Sequence, residues 1–193
     1  MHGSRGDVAI EVPFDEHLFL AVPIELRGPS ADGTQWAREQ IETLQVQPDR
    51  VSDLNGVIAQ LAGQASLLSP QAFAAFLFCP SGLPGSALVE VFIGRTERTS
   101  LADVTVSYPV ALPQREHPIY SPSFGTGRAI SSLSKLPDGT ALGQIRYQHL
   151  DHGILVDMSV TASDLTALGA GMPAFEALVN AVSCRPADAA AHA

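Results

Sequence analysis

The chain has 193 residues, 46% of them hydrophobic, and a formal net charge of −9 at pH 7. This length and composition suffice for one domain with a buried core. Its single lysine and ten arginines form no basic run, so a nucleic acid or an anionic membrane surface is disfavoured as a partner.

The two ends of the chain differ in composition from the rest. Residues 1–7 are polar, and we expect a disordered or non-native start there, then a single domain over residues 8–184 and a flexible, alanine-rich tail over residues 185–193. The start lacks the apolar core of a secretory signal, and no window approaches the ~20 apolar residues of a membrane span. We therefore expect a cytoplasmic protein, or an exported one if the native start has been replaced. The preference for arginine over lysine is typical of GC-rich bacteria.

The N-terminal part predicts a β-hairpin and a helix. Residues 8–12 alternate between apolar and polar side chains, and residues 18–24 form a second strand-like run after a polar turn. A loop rich in glycine and proline then ends at Asp32 or Thr34, either of which can cap a helix. That helix is predicted to end near Val46.

The second helix, predicted to follow Pro48-Asp49, has two contrasting faces from residue 51 to residue 68. One carries apolar residues at steps of three and four. The opposite face carries small residues where charged ones are usual. These are Ser52, Gly56, Ala59, Gly63 and Ser66. Each glycine costs roughly 1 kcal/mol relative to alanine in a helix, which favours an interface with the first helix or with another chain; a merely solvated face is the alternative.

Strands are predicted over residues 72–79, 88–93 and 104–108, the first of them a continuous apolar run typical of a strand covered on both faces. The connection 113–126 is long, contains three prolines and carries aromatic residues. Long loops in compact domains are often functional. It is therefore either a flap buried on the sheet or one wall of a pocket. The candidate residues of this loop and pocket are His117, Tyr120, Phe124 and Arg128.

The last third predicts three strands and a closing helix. Residues 127–136 end at a Pro-Asp-Gly turn, and residues 142–161 form a long hairpin. With Asp151-His152 as its turn, the expected pairs are Ile145 with Met158 and Tyr147 with Val156 on the buried side, and Arg146 with Asp157 on the other side. Ser163-Asp164 opens a short helical turn that Gly169 and Gly171 end, and the final helix, over residues 173–182, begins at Pro173.

These elements predict an α+β fold: a mostly antiparallel sheet of about six to eight strands covered by helices, with a closing hairpin plus a C-terminal helix. Their order resembles the PsbP-like, or Mog-type, α/β/α sandwich, whose actinobacterial relatives include LpqN-type lipoproteins. Unlike those lipoproteins, this chain has no lipid-attachment cysteine near its start. The resemblance implies a binding scaffold more often than an enzyme.

No sequence motif predicts catalysis. His149, Asp151 and His152 form the densest group of potential metal ligands, but they lie on a strand and a turn and lack the fourth ligand of a closed zinc site. Cys79 and Cys184 are expected to be reduced thiols. We therefore predict no catalytic residue, no metal and no cofactor.

The sequence favours a non-enzymatic protein-binding module, which is an adaptor, a chaperone or a self-associating scaffold. Its partner is then another protein or a second copy, with homo-oligomers expected in the latter case. The alternative is a small-molecule-binding domain or enzyme with its pocket between the sheet and the loop 113–126. A deep pocket with converging polar groups distinguishes the second from the first.

Overall fold

The computed structural model of the chain describes residues 2–4, 8–43, 53–80, 85–104 and 110–186. In chain order its main elements are β1 (His2–Ser4), β2 (Val8–Glu11), β3 (Phe19–Ala21), α1 (Thr34–Thr43), α2 (Leu54–Leu67), β4 (Ala74–Phe78), β5 (Ala87–Arg95), β6 (Leu112–Ser121), β7 (Gly125–Lys135), β8 (Ala141–Asp151), β9 (Ile154–Ala162), α3 (Leu165–Ala181) and β10 (Ser183–Pro186). None of these helices is long and apolar enough to cross a lipid bilayer.

Seven strands form one antiparallel sheet in the order β3-β4-β5-β9-β8-β7-β6, and β1, β2 and β10 form a small second sheet. The α+β expectation, with its closing hairpin and C-terminal helix, is confirmed. Strand alternation gives the large sheet an apolar face, on which Val89, Tyr147 and Met158 are fully buried in one core with residues of α3.

The second face of the large sheet is covered unevenly. Over β3 and β4 it packs against α1 and α2 in a separate core that includes Trp36, Leu61 and Leu77. Over β5, β9 and β8 the alternating positions on this face are largely polar, and none of the described α-helices covers them. The uneven cover therefore leaves a concave surface at the middle of the sheet.

The predicted N-terminal hairpin is wrong. β2 pairs with β1 and β10, whereas β3 pairs with β4. The reason is the tight turn at Asp15, whose carbonyl accepts hydrogen bonds from the amides of Leu18 (3.0 Å) and Phe19 (2.8 Å). This turn redirects the chain from one sheet to the other. β1 lies within residues 1–7 and the end of β10 within residues 185–193; the division into a start, a domain and a tail stays a prediction.

The two helices after β3 are present. Asp32 Oδ1 accepts a hydrogen bond from the Thr34 amide (3.0 Å) at the start of α1. Asp53 caps α2, because its Oδ1 accepts the Gly56 amide at 2.9 Å. The predicted end of the first helix near Val46 and the predicted start of the second lie outside the described residues.

The C-terminal helix is one continuous element, which corrects the prediction of a short turn followed by a helix from Pro173. Pro173 lies inside α3. Gly171 does not end the helix: it is buried, and a Cβ there would lie 2.6 Å from the Phe175 ring. This glycine therefore serves close packing rather than chain termination.

The β8–β9 hairpin turns one residue later than predicted. His152 (φ +46°) and Gly153 (φ +72°) form the turn, a conformation that favours glycine at the second position. Tyr147 therefore lies opposite Met158, and Ile145 opposite Val160. The predicted partners are wrong, but the predicted faces are right, because this shift moves each partner by two residues and so preserves its side of the sheet.

Residues 113–126 are not a long loop. They form most of the edge strand β6 and a tight turn that leads into β7. An edge strand accepts Pro118, because a missing N–H is tolerated where it faces away from the neighbouring strand. The predicted strand 104–108 cannot be compared, because residues 105–109 lie outside the described part of the chain.

Candidate functional site

A cleft of about 1100 Å³ lies on the open half of the second sheet face, over β5, β9 and β8. One wall is built from Ile24 and from residues 70–73, which connect α2 to β4. Arg95, the last residue of β5, forms the rim at another side together with Thr96 and Arg98, which follow it. The cleft is thus bounded by connections and floored by strands, an arrangement common to binding sites on rigid scaffolds.

The strand register arranges the floor in two rows across the sheet. One row brings Phe92 beside Asp157 in the cleft and continues beyond the cleft to Gln148 and Arg128. The next row brings Glu90 beside Ser159 and then Arg146. Charged and amide side chains are therefore neighbours on adjacent strands, where cross-strand pairs interact most strongly.

Asp157 is the centre of the floor network. Arg146 donates to both of its oxygens, from Nε to Oδ1 at 2.6 Å and from Nη2 to Oδ2, and Gln148 Nε2 donates to Oδ2 at 3.0 Å. The ion pair was predicted as an exposed one between directly opposed residues. Instead it is diagonal, and the Asp157 side chain is only 7% exposed and that of Arg146 22%. Its strength therefore exceeds that of a surface pair.

Arg128 extends the network to the sheet edge. Its Nε donates to Gln148 Oε1 at 2.9 Å and its Nη2 to the Val104 carbonyl at 2.6 Å. Its Nη1 also lies 3.4 Å from Glu116 Oε2. The chain of hydrogen bonds from β6 to β9 holds the polar floor in one arrangement.

Arg27 holds the wall of the cleft. This buried guanidinium donates to the Val22 carbonyl from Nε (2.9 Å) and Nη2 (2.6 Å), and to the Ala72 carbonyl from Nη1 (2.8 Å). Burial lowers the pKa of Arg27, and Glu90 and Glu25 act in the opposite direction. Arg27 therefore fastens the segment before α1 to the segment before β4, and both carry residues of the wall.

Apolar side chains complete the cleft. Ile24 on the wall is 58% exposed, and Phe73, Phe92 and Leu155 are half-buried. The lining residues that the structure describes include no histidine, cysteine or lysine. The arrangement is therefore suited to holding a ligand by apolar contact and charge, and its two described carboxylates, Glu90 and Asp157, already accept hydrogen bonds from the Ser69 amide and from Arg146.

The candidate residues of the former loop do not converge on a pocket. The register places His117 opposite Ala129, on the face that packs against α3. Phe124 is buried in that same core. Tyr120, 67% exposed, lies on the other face, as does Arg128. Arg128 alone among the four belongs to the polar network beside the cleft.

The small-residue face of α2 is not where α1 packs. Gly56, Ala59 and Gly63 are exposed, Ser66 is half-buried, and Ser52 lies outside the described residues. Instead α1 approaches α2 at Gly33, where a Cβ would lie 3.3 Å from the Ala62 Cα. Contact with another chain through this face stays a prediction.

His149, Asp151 and His152 do not converge on one point. His149 is fully buried on the α3 side, with its ring 6.1 Å from that of Phe124, whereas Asp151 and His152 pair at 2.8 Å in the turn. Within the described ranges no three His, Cys, Asp or Glu side chains are placed to hold a metal ion. Burial raises the pKa of the Cys79 thiol to about 11, so this cysteine is a poor nucleophile.

His149 predicts a loss of stability in acid. The His149 ring is fully buried, and this burial lowers the pKa of the imidazole, while a backbone hydrogen bond with Gly125 acts less strongly in the opposite direction. The unfolded chain therefore takes up this proton at about pH 6.5 while the folded chain resists it. We expect melting temperature to fall as pH drops below about 6.5, and to fall less in His149→Gln. Equal pH dependence in the two proteins would contradict this role.

The sequence analysis did not predict the cleft, although the polar residues that line it are visible as an alternating pattern in β8 and β9. The positions facing away from the α3 core are Gln144, Arg146 and Gln148 in β8 and Asp157, Ser159 and Thr161 in β9. A solvated face commonly carries such residues, so their polarity alone does not distinguish a site from a surface.

Among solved structures, LpqN of Mycobacterium tuberculosis, a protein involved in cell envelope biogenesis, is similar to this chain over nearly its whole length. The structural alignment covers 96% of this chain and 88% of the LpqN chain, with a TM-score of 0.52 and 10% sequence identity. The two proteins share a fold. At this identity the likeness extends to architecture and not to activity. No protein-family model and no curated protein sequence matches the chain. The resemblance to PsbP-like and Mog-type proteins stays a prediction.

Proposed function

We propose that the chain is a non-enzymatic module that binds a segment of another protein on the open half of its sheet. The observation that carries this proposal is the cleft itself: a preformed surface with an ordered polar floor, an exposed apolar wall and a charged rim. Such a combination of apolar anchors inside a polar frame is typical of protein interfaces.

The shape of the cleft favours a polypeptide over a small molecule. Its volume of about 1100 Å³ is at the upper end of the roughly 300–1,000 Å³ range of small-molecule pockets, and it is partly open to solvent, so an extended segment can lie in it. The small-molecule alternative depended on a pocket beneath residues 113–126, and these residues are part of the sheet.

The chemistry of the lining favours binding over catalysis. Asp157 and Arg146 satisfy each other, and Glu90 Oε1 accepts the Ser69 amide at 2.7 Å. These groups are engaged in holding the floor and wall together. A role as adaptor or chaperone is consistent with this arrangement, and the shared fold with LpqN is compatible with a non-enzymatic module.

Ile24→Glu tests the proposal, because Ile24 projects from the wall and its replacement removes no core packing. Peptides of about 12 residues, which extend over about 40 Å, are selected from a random display library on the wild-type protein and titrated by fluorescence anisotropy. We expect Ile24→Glu to weaken their binding at least about tenfold, with an unchanged melting temperature.

Leu67→Glu is the matched control, since Leu67 is a 71% exposed aliphatic residue of α2 that does not line the cleft. We expect this variant to bind the selected peptides like the wild type. A library that yields no binding peptide, or peptides that Leu67→Glu weakens as strongly as Ile24→Glu, would overturn the proposal.

A further inference from the structure

Given the proposed function, on which this inference rests, we infer that the bound segment is acidic and carries an apolar side chain between its carboxylates. The carboxylates meet Arg95 and Arg98 at the rim of the cleft. The apolar side chain lies on Phe92 and Leu155 and against Ile24. Each step of this assignment follows from the charge and burial of the lining residues.

The rim arginines are exposed and uncommitted. In the part of the chain that the structure describes, no carboxylate lies within 4.0 Å of the guanidinium of Arg95 or Arg98, and both side chains are exposed. By contrast, Arg27, Arg128 and Arg146 use their donors inside the protein. In a chain of net charge −9, two uncommitted arginines at one cleft form a local positive region that attracts acidic groups.

The carboxylates that line the cleft do not cancel this charge. Asp157 is neutralised by its bidentate pair with Arg146, and Glu90 lies deeper, where one of its oxygens accepts the Ser69 amide. Among the described lining residues there are thus three arginines and two carboxylates, and the free positive groups are those at the rim. A basic segment would leave Arg95 and Arg98 facing like charges.

The rim is preorganised by its backbone. The Thr96 amide donates to the Gly153 carbonyl in the β8–β9 turn at 2.8 Å, and Thr96 Oγ1 accepts the Arg98 amide at 3.2 Å. These bonds hold the two arginines at one end of an apolar surface. Arginines and aromatic residues at such positions carry much of the binding energy of protein interfaces.

The test uses three fluorescein-labelled peptides of about 12 residues, a length that extends over about 40 Å. The first alternates Glu with Leu and Phe, the second has Lys in place of Glu, and the third has Ser in place of Leu and Phe. We expect the wild type to bind the first at least about tenfold more tightly than the other two, with affinity falling as salt rises.

Charge reversal then identifies the arginines. We expect Arg95→Glu/Arg98→Glu to bind the acidic peptide at least about tenfold more weakly than the wild type does, and to bind the Lys peptide more tightly. The control, Arg38→Glu/Arg115→Glu, changes two exposed arginines that do not line the cleft. We expect it to bind all three peptides like the wild type.

The outcomes separate this inference from the proposed function. If the display-selected peptides bind but the acidic peptide has no advantage, or if both double variants lose it equally, the acidic inference is overturned and the proposed function stands. If selected and designed peptides all fail to bind, both are overturned. Binding of phosphatidylglycerol vesicles in place of peptides, lost in Arg95→Glu/Arg98→Glu, would assign the rim to a membrane surface and overturn the inference.

Discussion

Replacing Asp157 by Ala is expected to lower the free energy of unfolding by about 3 kcal/mol. The substitution leaves the largely buried guanidinium of Arg146 without its counter-charge and removes the acceptor of Gln148. A buried charge that loses its partner is strongly destabilising, and the partial exposure of Arg146 places the effect at the lower end of the usual range. Urea denaturation measures the loss, with an unchanged slope if the folded state is otherwise intact.

Two further variants identify the cause. Asp103→Ala removes an exposed carboxylate and is expected to cost less than about 0.5 kcal/mol. Arg146→Met/Asp157→Leu removes both charges together, and we expect it to recover most of the lost stability because no unpaired charge remains. A loss below about 1 kcal/mol in Asp157→Ala would show that the floor network contributes little to the fold.

Replacing Arg27 by Ala is expected to cost about 3 kcal/mol of stability and to weaken peptide binding in the cleft. The Val22 and Ala72 carbonyls lie in buried backbone and would lose the guanidinium that they share. Each buried carbonyl left without a partner costs about 1–3 kcal/mol. The wall loosens as well, so part of the effect is expected as weaker binding of the peptides selected on the wild type.

Arg38→Ala is the matched control, because the exposed Arg38 donates to the neighbouring Gln35 on α1 and is worth less than about 0.5 kcal/mol. Arg27→Lys keeps the charge but loses the planar fork that reaches both carbonyls. We expect an intermediate stability for it. If Arg27→Ala and Arg38→Ala are equally stable, Arg27 does not hold the wall of the cleft together.

The sequence predicts well which side chains of a strand face the core, and it predicts poorly which helices cover which part of the sheet. The apolar face of β8 and β9 follows from period-two alternation, and Tyr147, Val156 and Met158 are buried as expected. The register of the hairpin depends on which two residues form the turn. Asp151-His152 and His152-Gly153 are both plausible by composition, and the positive φ at Gly153 is visible in the structure alone.

Proline positions misled the assignment of elements for a physical reason. Proline is usually a boundary, but Pro118 lies in an edge strand and Pro173 inside a helix. Both exceptions depend on neighbours distant in sequence: an unoccupied sheet edge for Pro118, and packing that holds α3 on the sheet for Pro173. The cleft was unpredictable for a related reason, because it exists where α1 and α2 stop covering the sheet.

The pairing of β2 with β10 has a consequence for the order of folding. It joins Val8 to Pro186, a contact between residues far apart in the sequence, so its loop-closure entropy is among the largest in the fold. Ile10 and Val12 are buried beside the same core as α3. During synthesis β2 can pair with β1 at once, but it waits for β10 until nearly all of the described residues have been made. The pairing of β2 with β10 is therefore expected to form last, after the rest of the core has assembled.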